Sequence, residues 1–168
     1  MRLAIIAAAA CLAVPAFAQD AVTPDVAAFS GDPAAGLDIF NKQCATCHVV
    51  VNPDGETLAG RAAKTGPNQW HLAYGPIGHQ EDFDYSDAIV QLHEQGEHWT
   101  EEKFVGYVQD PTEWLREATG DRRARGKMQF KVRKEEDAHD LWAYFVSISP
   151  ELTGDDAAAY ATEPGVTN

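Results

Sequence analysis

Apolar residues recur at helical spacing in four stretches of this chain, and they predict four helices joined by long loops. Asp32 and Pro33 begin the first helix, because aspartate caps helix N-termini and proline is tolerated at the first helical position. The last helix is predicted from about Glu135 to Ser147. It carries the most extensive apolar face, formed by Ala138, Leu141, Trp142, Tyr144, Phe145 and Ile148.

Two shorter helices are predicted between these. One follows Tyr85 and stops at Gly96, a common helix terminator. Thr100 caps the next helix, and Pro111 is predicted to end it because proline cannot continue a helix interior. No stretch alternates convincingly between apolar and polar residues, so the sequence predicts an all-α fold.

The two ends of the chain differ in composition from this helical part. Met1–Ala18 has one basic residue, an apolar run too short to span a bilayer and a small-x-small cleavage pattern, which together predict a secretory signal peptide. Gln19–Ser30 is predicted to be a flexible leader, and Pro150–Asn168 a flexible acidic tail. The folded domain is therefore expected to be Gly31–Ser149.

The strongest chemical signal is the pentapeptide Cys44-Ala45-Thr46-Cys47-His48. The spacing C-x-x-C-H is the attachment site of a c-type haem. A zinc site would need four nitrogen or sulfur ligands, and the only other cysteine, Cys11, lies in the predicted signal peptide. A thioredoxin-like dithiol would not need the adjacent histidine, and no βαβ pattern surrounds it. The motif therefore predicts one covalently attached haem c.

A haem iron bound by His48 needs a group on its other side. Met128 is the only methionine outside the predicted signal peptide and lies in a loop between two helices. Most methionines are core residues, however, and His71 and His79 are rival ligands. The spacing by itself leaves these three side chains open, and a missing ligand would give a gas-binding or catalytic haem instead.

The segment Gly31–Ser149 resembles the class I c-type cytochromes, in particular the long cytochrome c2 type of purple bacteria. The resemblance rests on several short motifs taken together. They are Gly31-Asp32, Gly36, Phe40, the C-x-x-C-H motif, residues 64–68 (KTGPN), Tyr85, residues 99–102 (WTEE), Tyr107, Asp110-Pro111, Lys127-Met128, Phe130, Leu141 and Tyr144.

This resemblance implies a role for each matching residue around the haem. Cys44 and Cys47 would attach the cofactor, and His48 and Met128 would be the axial ligands of the iron. The carbonyl group of Pro67 would accept a hydrogen bond from the His48 nitrogen that faces away from the metal, which fixes the ring.

Aromatic side chains complete the implied site. Tyr85 and Trp99 would donate hydrogen bonds to a buried haem propionate, and the Tyr107 hydroxyl would lie near the Met128 sulfur. Gly36 would allow the first and last helices to cross closely. The expected apolar cage consists of Phe40, Leu58, Trp99, Tyr107, Trp114, Phe130 and Leu141.

One loop departs from the family pattern. The family usually has Gly-x-x-Gly-Arg-x-x-Gly where this chain has Gln69–Gly78, and Gly75 stands in the place of the arginine that bonds a propionate. We expect the negative charge of this propionate to be less compensated than in relatives. Its pKa would then be raised, and the reduction potential of the haem would be lower than in relatives. The sequence leaves open whether His71 or His79 replaces the arginine as the partner of the propionate.

The charge distribution indicates the kind of partner. The formal net charge is −13, which excludes nucleic acid and anionic membrane surfaces as partners of the whole molecule. Residues 116–134 nevertheless hold eight basic residues and only two acidic ones around Met128. The basic residues are Arg116, Arg122, Arg123, Arg125, Lys127, Lys131, Arg133 and Lys134. We expect this basic segment to dock onto an acidic patch of a redox partner protein.

These observations predict a monomeric, periplasmic one-electron carrier that binds no small-molecule substrate and is not an enzyme. By resemblance, its donor would be a cytochrome bc1-type complex and its acceptor a reaction centre or terminal oxidase. Two alternatives stay open on the sequence. They are a haem subunit of a larger periplasmic redox enzyme and a ligand-binding or sensor haem protein with a labile sixth ligand.

Overall fold

The computed structural model describes residues 30–149. The predicted signal peptide, all but the last residue of the predicted leader and the predicted tail lie outside the described residues. Within residues 30–149, no helix has both the length and the apolar character needed to cross a membrane.

Five helices and one small sheet make up this part of the chain, which confirms the predicted helical fold class. The elements are α1 Pro33–Ile39, β1 Val49–Val51, β2 Thr57–Gly60, α2 Asp87–Glu94, α3 Glu101–Gln109, α4 Pro111–Thr119 and α5 Glu135–Ser147, with a π-helical turn at Phe40–Cys44 between α1 and β1. The Asp32 side chain accepts hydrogen bonds from the backbone N–H groups of Ala34 and Ala35, at 2.8 and 3.4 Å, and so caps α1.

Helix α4 was not predicted from the sequence. Pro111 does not only end α3 but also begins α4, where the missing N–H of a first-turn proline costs nothing. The Asp110 side chain caps the new helix by accepting from the Glu113 N–H at 3.3 Å. A stop signal for one helix is therefore the start signal of the next.

The prediction that the chain has no strand is wrong for one short hairpin. β1 and β2 pair antiparallel, with Val49 opposite Gly60 and an irregularity between Val50 and Val51. The strands have three and four residues, too few for an alternating pattern to stand out from the surrounding loops. The hairpin follows His48 directly and so anchors the chain on leaving the C-x-x-C-H motif.

The first and last helices cross at Gly36. A Cβ atom on Gly36 would lie 2.0 Å from the carbonyl oxygen of Asp140 and 2.8 Å from Cβ of Tyr144. The Phe40 ring then packs on Tyr144 and Phe145, at centroid distances of 6.2 and 5.9 Å. The close crossing that the resemblance implies is present, and it sets Phe40 beneath the C-x-x-C-H turn.

We expect Gly36→Ala to lower the free energy of unfolding by about 3 kcal/mol, since the new methyl group meets backbone that must shift. Chemical denaturation of the haem-loaded protein measures this. The matched control is Ala34→Ser on the exposed side of α1, which should change the free energy by less than about 0.5 kcal/mol. A Gly36→Ala protein as stable as the control would contradict the close crossing.

Candidate haem-binding site

A cavity of about 360 Å³ lies among the C-x-x-C-H turn, the loop of residues 65–86, α3, the Met128 loop and α5. This volume is in the range of small-molecule and cofactor pockets. Most lining side chains are apolar or aromatic. They include Phe40, Leu72, Phe83, Ile89, Trp99, Phe104, Val108, Phe130, Val132, Leu141 and Phe145.

Cys44, Cys47, His48 and Met128 all line this one cavity. The resemblance gives these four side chains the direct bonds to the haem. They lie on two segments that are 80 residues apart in sequence, and the fold brings them to a common space.

Backbone hydrogen bonds form the turn that carries the two cysteines. The N–H of Ala45 donates to the Phe40 carbonyl at 2.9 Å, which closes the π-helical turn. The N–H groups of Cys47 and His48 both donate to the Cys44 carbonyl, at 3.0 and 2.9 Å. This tight turn presents both thiols to the cavity. Burial, with a smaller effect of Cys47, raises the pKa of the Cys44 thiol to about 12 and keeps it neutral.

The His48 ring is fixed from the side of its Nδ1 atom. Nδ1 donates to the Pro67 carbonyl oxygen at 3.0 Å, the contact that the resemblance implies. Burial lowers the pKa of His48 below its ordinary value, and the hydrogen bond to Pro67 opposes this. The result is a neutral imidazole with its Nε2 lone pair left for a metal, the state that a ligand histidine needs.

Two neighbours of this pair, Gly66 and Gln69, had no role predicted from the sequence. A Cβ atom on Gly66 would lie 2.3 Å from Cε1 of His48, so only glycine lets the ring pack against the backbone here. The Gln69 side-chain nitrogen donates to the Pro67 oxygen at 3.0 Å and lies 3.0 Å from His48 Nδ1. Gln69 therefore shares the carbonyl group that orients the histidine.

Three aromatic residues with polar atoms line the cavity, namely Tyr85, Trp99 and Tyr107. Burial is the main cause that raises the pKa of both tyrosines to about 12, and the Tyr85 charge adds to the effect on Tyr107. Both hydroxyl groups therefore stay protonated at neutral pH and can donate hydrogen bonds. Trp99 packs at a centroid distance of 5.2 Å from Tyr107.

Gly126 lies between Tyr107 and Met128. A Cβ atom placed on Gly126 would be 3.8 Å from the Tyr107 hydroxyl oxygen and 3.9 Å from the backbone nitrogen of Met128. The Tyr107 hydroxyl therefore lies near Gly126, two residues before Met128.

Two residues of the predicted cage, Leu58 and Trp114, do not line the cavity. Trp114 lies behind Trp99, stacked on it at 5.5 Å with an interplanar angle of 29°. Leu58 belongs to β2 and packs against the edge of the core. Helix α4, which the sequence analysis missed, explains the position of Trp114, since it carries the side chain away from the cavity.

The loop 69–78 holds two side chains in a left-handed backbone conformation. His71 has φ 58° and Tyr74 has φ 60°, and these are the positions of the first two glycines in the family pattern. Such a conformation costs roughly 1–2 kcal/mol for a residue with a Cβ atom. The Tyr74 ring packs in the core at 5.1 Å from Trp142, which offsets part of this cost.

The structure explains why position 75 is a glycine. A Cβ atom on Gly75 would lie 2.0 Å from the carbonyl oxygen of His71, so no side chain fits here in this loop conformation. The Gly75 carbonyl accepts a hydrogen bond from the N–H of Trp99 at 3.0 Å, which holds the loop in place. An arginine at 75 would require a different loop.

A buried polar atom tests whether the cavity suits a haem. The Ser86 hydroxyl lines the cavity, is buried, and has no hydrogen-bond partner among the described residues. Such an atom is costly unless a bound group satisfies it, and a propionate oxygen of a haem would do so. With two thiols, a neutral imidazole and a thioether at the same cavity, the residues present fit a covalently attached haem. The serine directly after Tyr85 was the signal that the sequence analysis overlooked.

Curated relatives match most of the chain. It is 48% identical over 147 residues to cytochrome c2 of Cereibacter sphaeroides, an alignment that covers 87% of this chain and 94% of the relative. It is 55% identical over 119 residues to cytochrome c2 of Rhodovulum adriaticum, covering 71% and 94%. Cytochrome c-550 of Paracoccus denitrificans is 37% identical over 163 residues, covering 95% and 96%. No protein-family model matches the chain.

Solved structures agree with these relatives. The cytochrome c2 of Rhodobacter sphaeroides superposes with a TM-score of 0.68 at 50% identity, covering 71% of this chain and 98% of that one. Ferric cytochrome c-550 from Paracoccus versutus gives a TM-score of 0.66 at 39% identity, covering 72% and 100%.

We expect His71→Gly to be more stable than His71→Ala by about 1 kcal/mol, because glycine relieves the left-handed strain that alanine keeps. Denaturation of the two variants measures the difference, in which the loss of the imidazole cancels. The control is Ala34→Gly in α1, where glycine should be the less stable residue by about 1 kcal/mol. An alanine variant at 71 that is as stable as the glycine variant would contradict the strain.

Proposed function

The chain belongs to the cytochrome c2 family of class I c-type cytochromes, electron-transfer proteins with one covalently bound haem c and no enzymatic activity, and on that premise we propose that it is a monomeric, periplasmic carrier of single electrons. The observation that carries the proposal is the meeting of Cys44, Cys47, His48 and Met128 at one apolar cavity. Its donor would be a cytochrome bc1-type complex, and its acceptor a photosynthetic reaction centre or a terminal oxidase.

Four side chains would hold the haem. The Cys44 and Cys47 thiols would add to the two vinyl groups, and His48 Nε2 and the Met128 sulfur would be the protein ligands of the iron. When bound, the haem supplies one iron that alternates between the ferric and ferrous states. With both His48 and Met128 bound to the iron, no coordination site would be left for a substrate.

The surroundings of these ligands favour the reduced state. The soft thioether of Met128 stabilises ferrous iron, and the apolar lining disfavours the extra positive charge of the ferric form. The hydrogen bond from His48 to Pro67 would hold the imidazole at one angle in both redox states. Little would then have to move when an electron arrives or leaves, which favours fast transfer.

Polar groups at one side of the cavity would bind the propionates. Tyr85 and Trp99 can donate from the hydroxyl and the indole nitrogen, and Ser86 offers a buried hydroxyl without another partner. These donors replace water around a carboxylate that would otherwise be costly to bury.

The basic segment 116–134 would form the docking surface. Four of its basic residues pair with carboxylates of the chain itself. These pairs are Arg116–Glu113, Arg123–Asp121, Lys127–Asp84 and Lys131–Asp110. Arg122, Arg125, Arg133 and Lys134 have no carboxylate partner within residues 30–149 and are exposed. Phe130, 46% exposed, lies in the same segment and lines the cavity, so a partner bound here would contact the rim of the haem site.

We expect Met128→Ala to abolish the weak near-infrared sulfur-to-iron band of the oxidised protein. The midpoint potential should fall by on the order of tenths of a volt, since axial ligands tune haem potentials over about 0.8 V. Optical spectroscopy and a redox titration measure the two effects. Gln129→Ala, one residue along, is the control and should keep the band. A wild-type spectrum typical of bis-histidine haem would overturn the assignment of Met128.

The rate of electron transfer from a purified cytochrome bc1 complex should fall about tenfold when ionic strength rises from about 0.01 to 0.15 M, because the Debye length shrinks from about 30 to about 8 Å. Arg125→Gln and Arg133→Gln should lower the low-salt rate and weaken its salt dependence. Lys103→Gln, outside the basic segment, removes the same charge as a control and should not. A rate that is indifferent to salt would contradict docking through this segment.

A further inference from the structure

His79 is an ionisable side chain of the cavity that the proposed function leaves without a role. It lines the same cavity as Tyr85 and Ser86, the residues proposed above to bind the propionates. Position 75 cannot carry a side chain in this loop, so it cannot supply a positive charge to them. His79 and Lys127 are the residues among the cavity lining, apart from the ligand His48, that can carry a positive charge. Lys127 already pairs with Asp84.

The hydrogen bonds of His79 suit two protonation states. Its Nδ1 lies 3.1 Å from the carbonyl oxygen of Pro76, and its Nε2 lies 2.9 Å from that of Trp70. Carbonyl oxygens only accept, so both contacts are hydrogen bonds when the ring is a doubly protonated imidazolium. The Gln80 side-chain nitrogen lies 2.6 Å from Nε2 and 3.3 Å from the Trp70 oxygen. In the neutral ring, Gln80 can donate to Nε2 instead, so neither state leaves a polar atom unsatisfied.

The titratable groups that act on His79 are two further histidines. The His71 ring lies 5.8 Å away, and His93 approaches from α2, where its Nδ1 is 2.8 Å from the carbonyl oxygen of Ile77. Burial lowers the pKa of His79, the two carbonyl groups raise it, and charges on His71 and His93 lower it further. No carboxylate of the described residues is among these influences. A haem propionate in this cavity would therefore supply a negative charge to His79 that these influences lack.

We propose that His79 is the counter-charge of the haem propionates and that it takes up a proton from solvent when the protein gains an electron from its donor. The electron makes the cavity more negative by one charge, and the proton on the imidazole restores the balance. The protein thus carries one electron and a fraction of a proton, and its midpoint potential falls as the pH rises. The inference rests on the proposed function, since it needs the haem in this cavity.

The direct test is an NMR titration of the His79 imidazole in the ferric and the ferrous haem-loaded protein. We expect a higher pKa for His79 in the ferrous protein, because the lost iron charge no longer opposes the imidazolium. His139, held by Glu101 at 2.6 Å on the surface of α5 and absent from the cavity lining, is the reference within the same molecule and should give equal values. Equal values for His79 in both states overturn the proposal.

The second test follows the midpoint potential against pH. The wild-type potential should fall with rising pH by at most about 59 mV per unit, the value for one proton per electron. His79→Gln keeps a hydrogen-bonding side chain without the charge and should flatten this dependence, whereas His139→Gln should leave it unchanged. A His79→Gln protein with the wild-type slope would assign the proton to a propionate and overturn the role of His79.

The proposed function and the role of His79 would be contradicted by different results. Absence of the sulfur-to-iron band from the spectrum of the oxidised wild-type protein would contradict the proposed ligation and function. A normal band together with equal His79 pKa values in both redox states would contradict this inference alone.

Discussion

The orientation of one imidazole organises the rest of this protein. His48 must be buried, neutral and aimed into the cavity. Burial lowers its pKa and so favours the neutral ring, and the hydrogen bond to the Pro67 carbonyl fixes the direction of the ring. That bond is possible only because Gly66 has no side chain and because the hairpin β1–β2 fixes the chain that leaves the C-x-x-C-H turn. The loop after Pro67 starts from this fixed position and holds His71 and Tyr74 in a left-handed conformation.

Burial and charge act on the cavity in opposite directions. An apolar lining favours the less charged, reduced state of a haem but penalises its propionates. The polar atoms of Tyr85, Ser86 and Trp99 can reduce that penalty without adding charge, and the proposed protonation of His79 would add a charge that depends on pH. On the outside, an acidic molecule carries a basic segment around Met128, which supports the proposed docking of an acidic partner at this face.

The helix boundaries show which structural features can be predicted from the sequence alone. Asp32, Thr100 and the apolar face of Glu135–Ser147 specify their helices through neighbours within one turn, and all three helices form as predicted. Asp110-Pro111 carries two opposite signals at once, and the sequence reading kept only the stop. The strands of the hairpin are too short to show an alternating apolar and polar pattern. They are stabilised by tertiary contacts, and for this reason the sequence did not predict them. Ser86 and Gln69 matter through their partners across the cavity, which no local pattern reveals.

By itself, the sequence determined the chemistry. Three features belong to the sequence itself and do not depend on the fold. They are the C-x-x-C-H spacing, the single methionine of the domain and the local excess of basic residues. Only the tertiary structure decided which polar groups share the cavity, that Trp114 stands behind Trp99, and that position 75 has no room for a side chain. The reason is that burial and close approach arise between residues far apart in the chain. A change of one ångström in packing decides whether a side chain fits, whereas the local pattern around it stays the same.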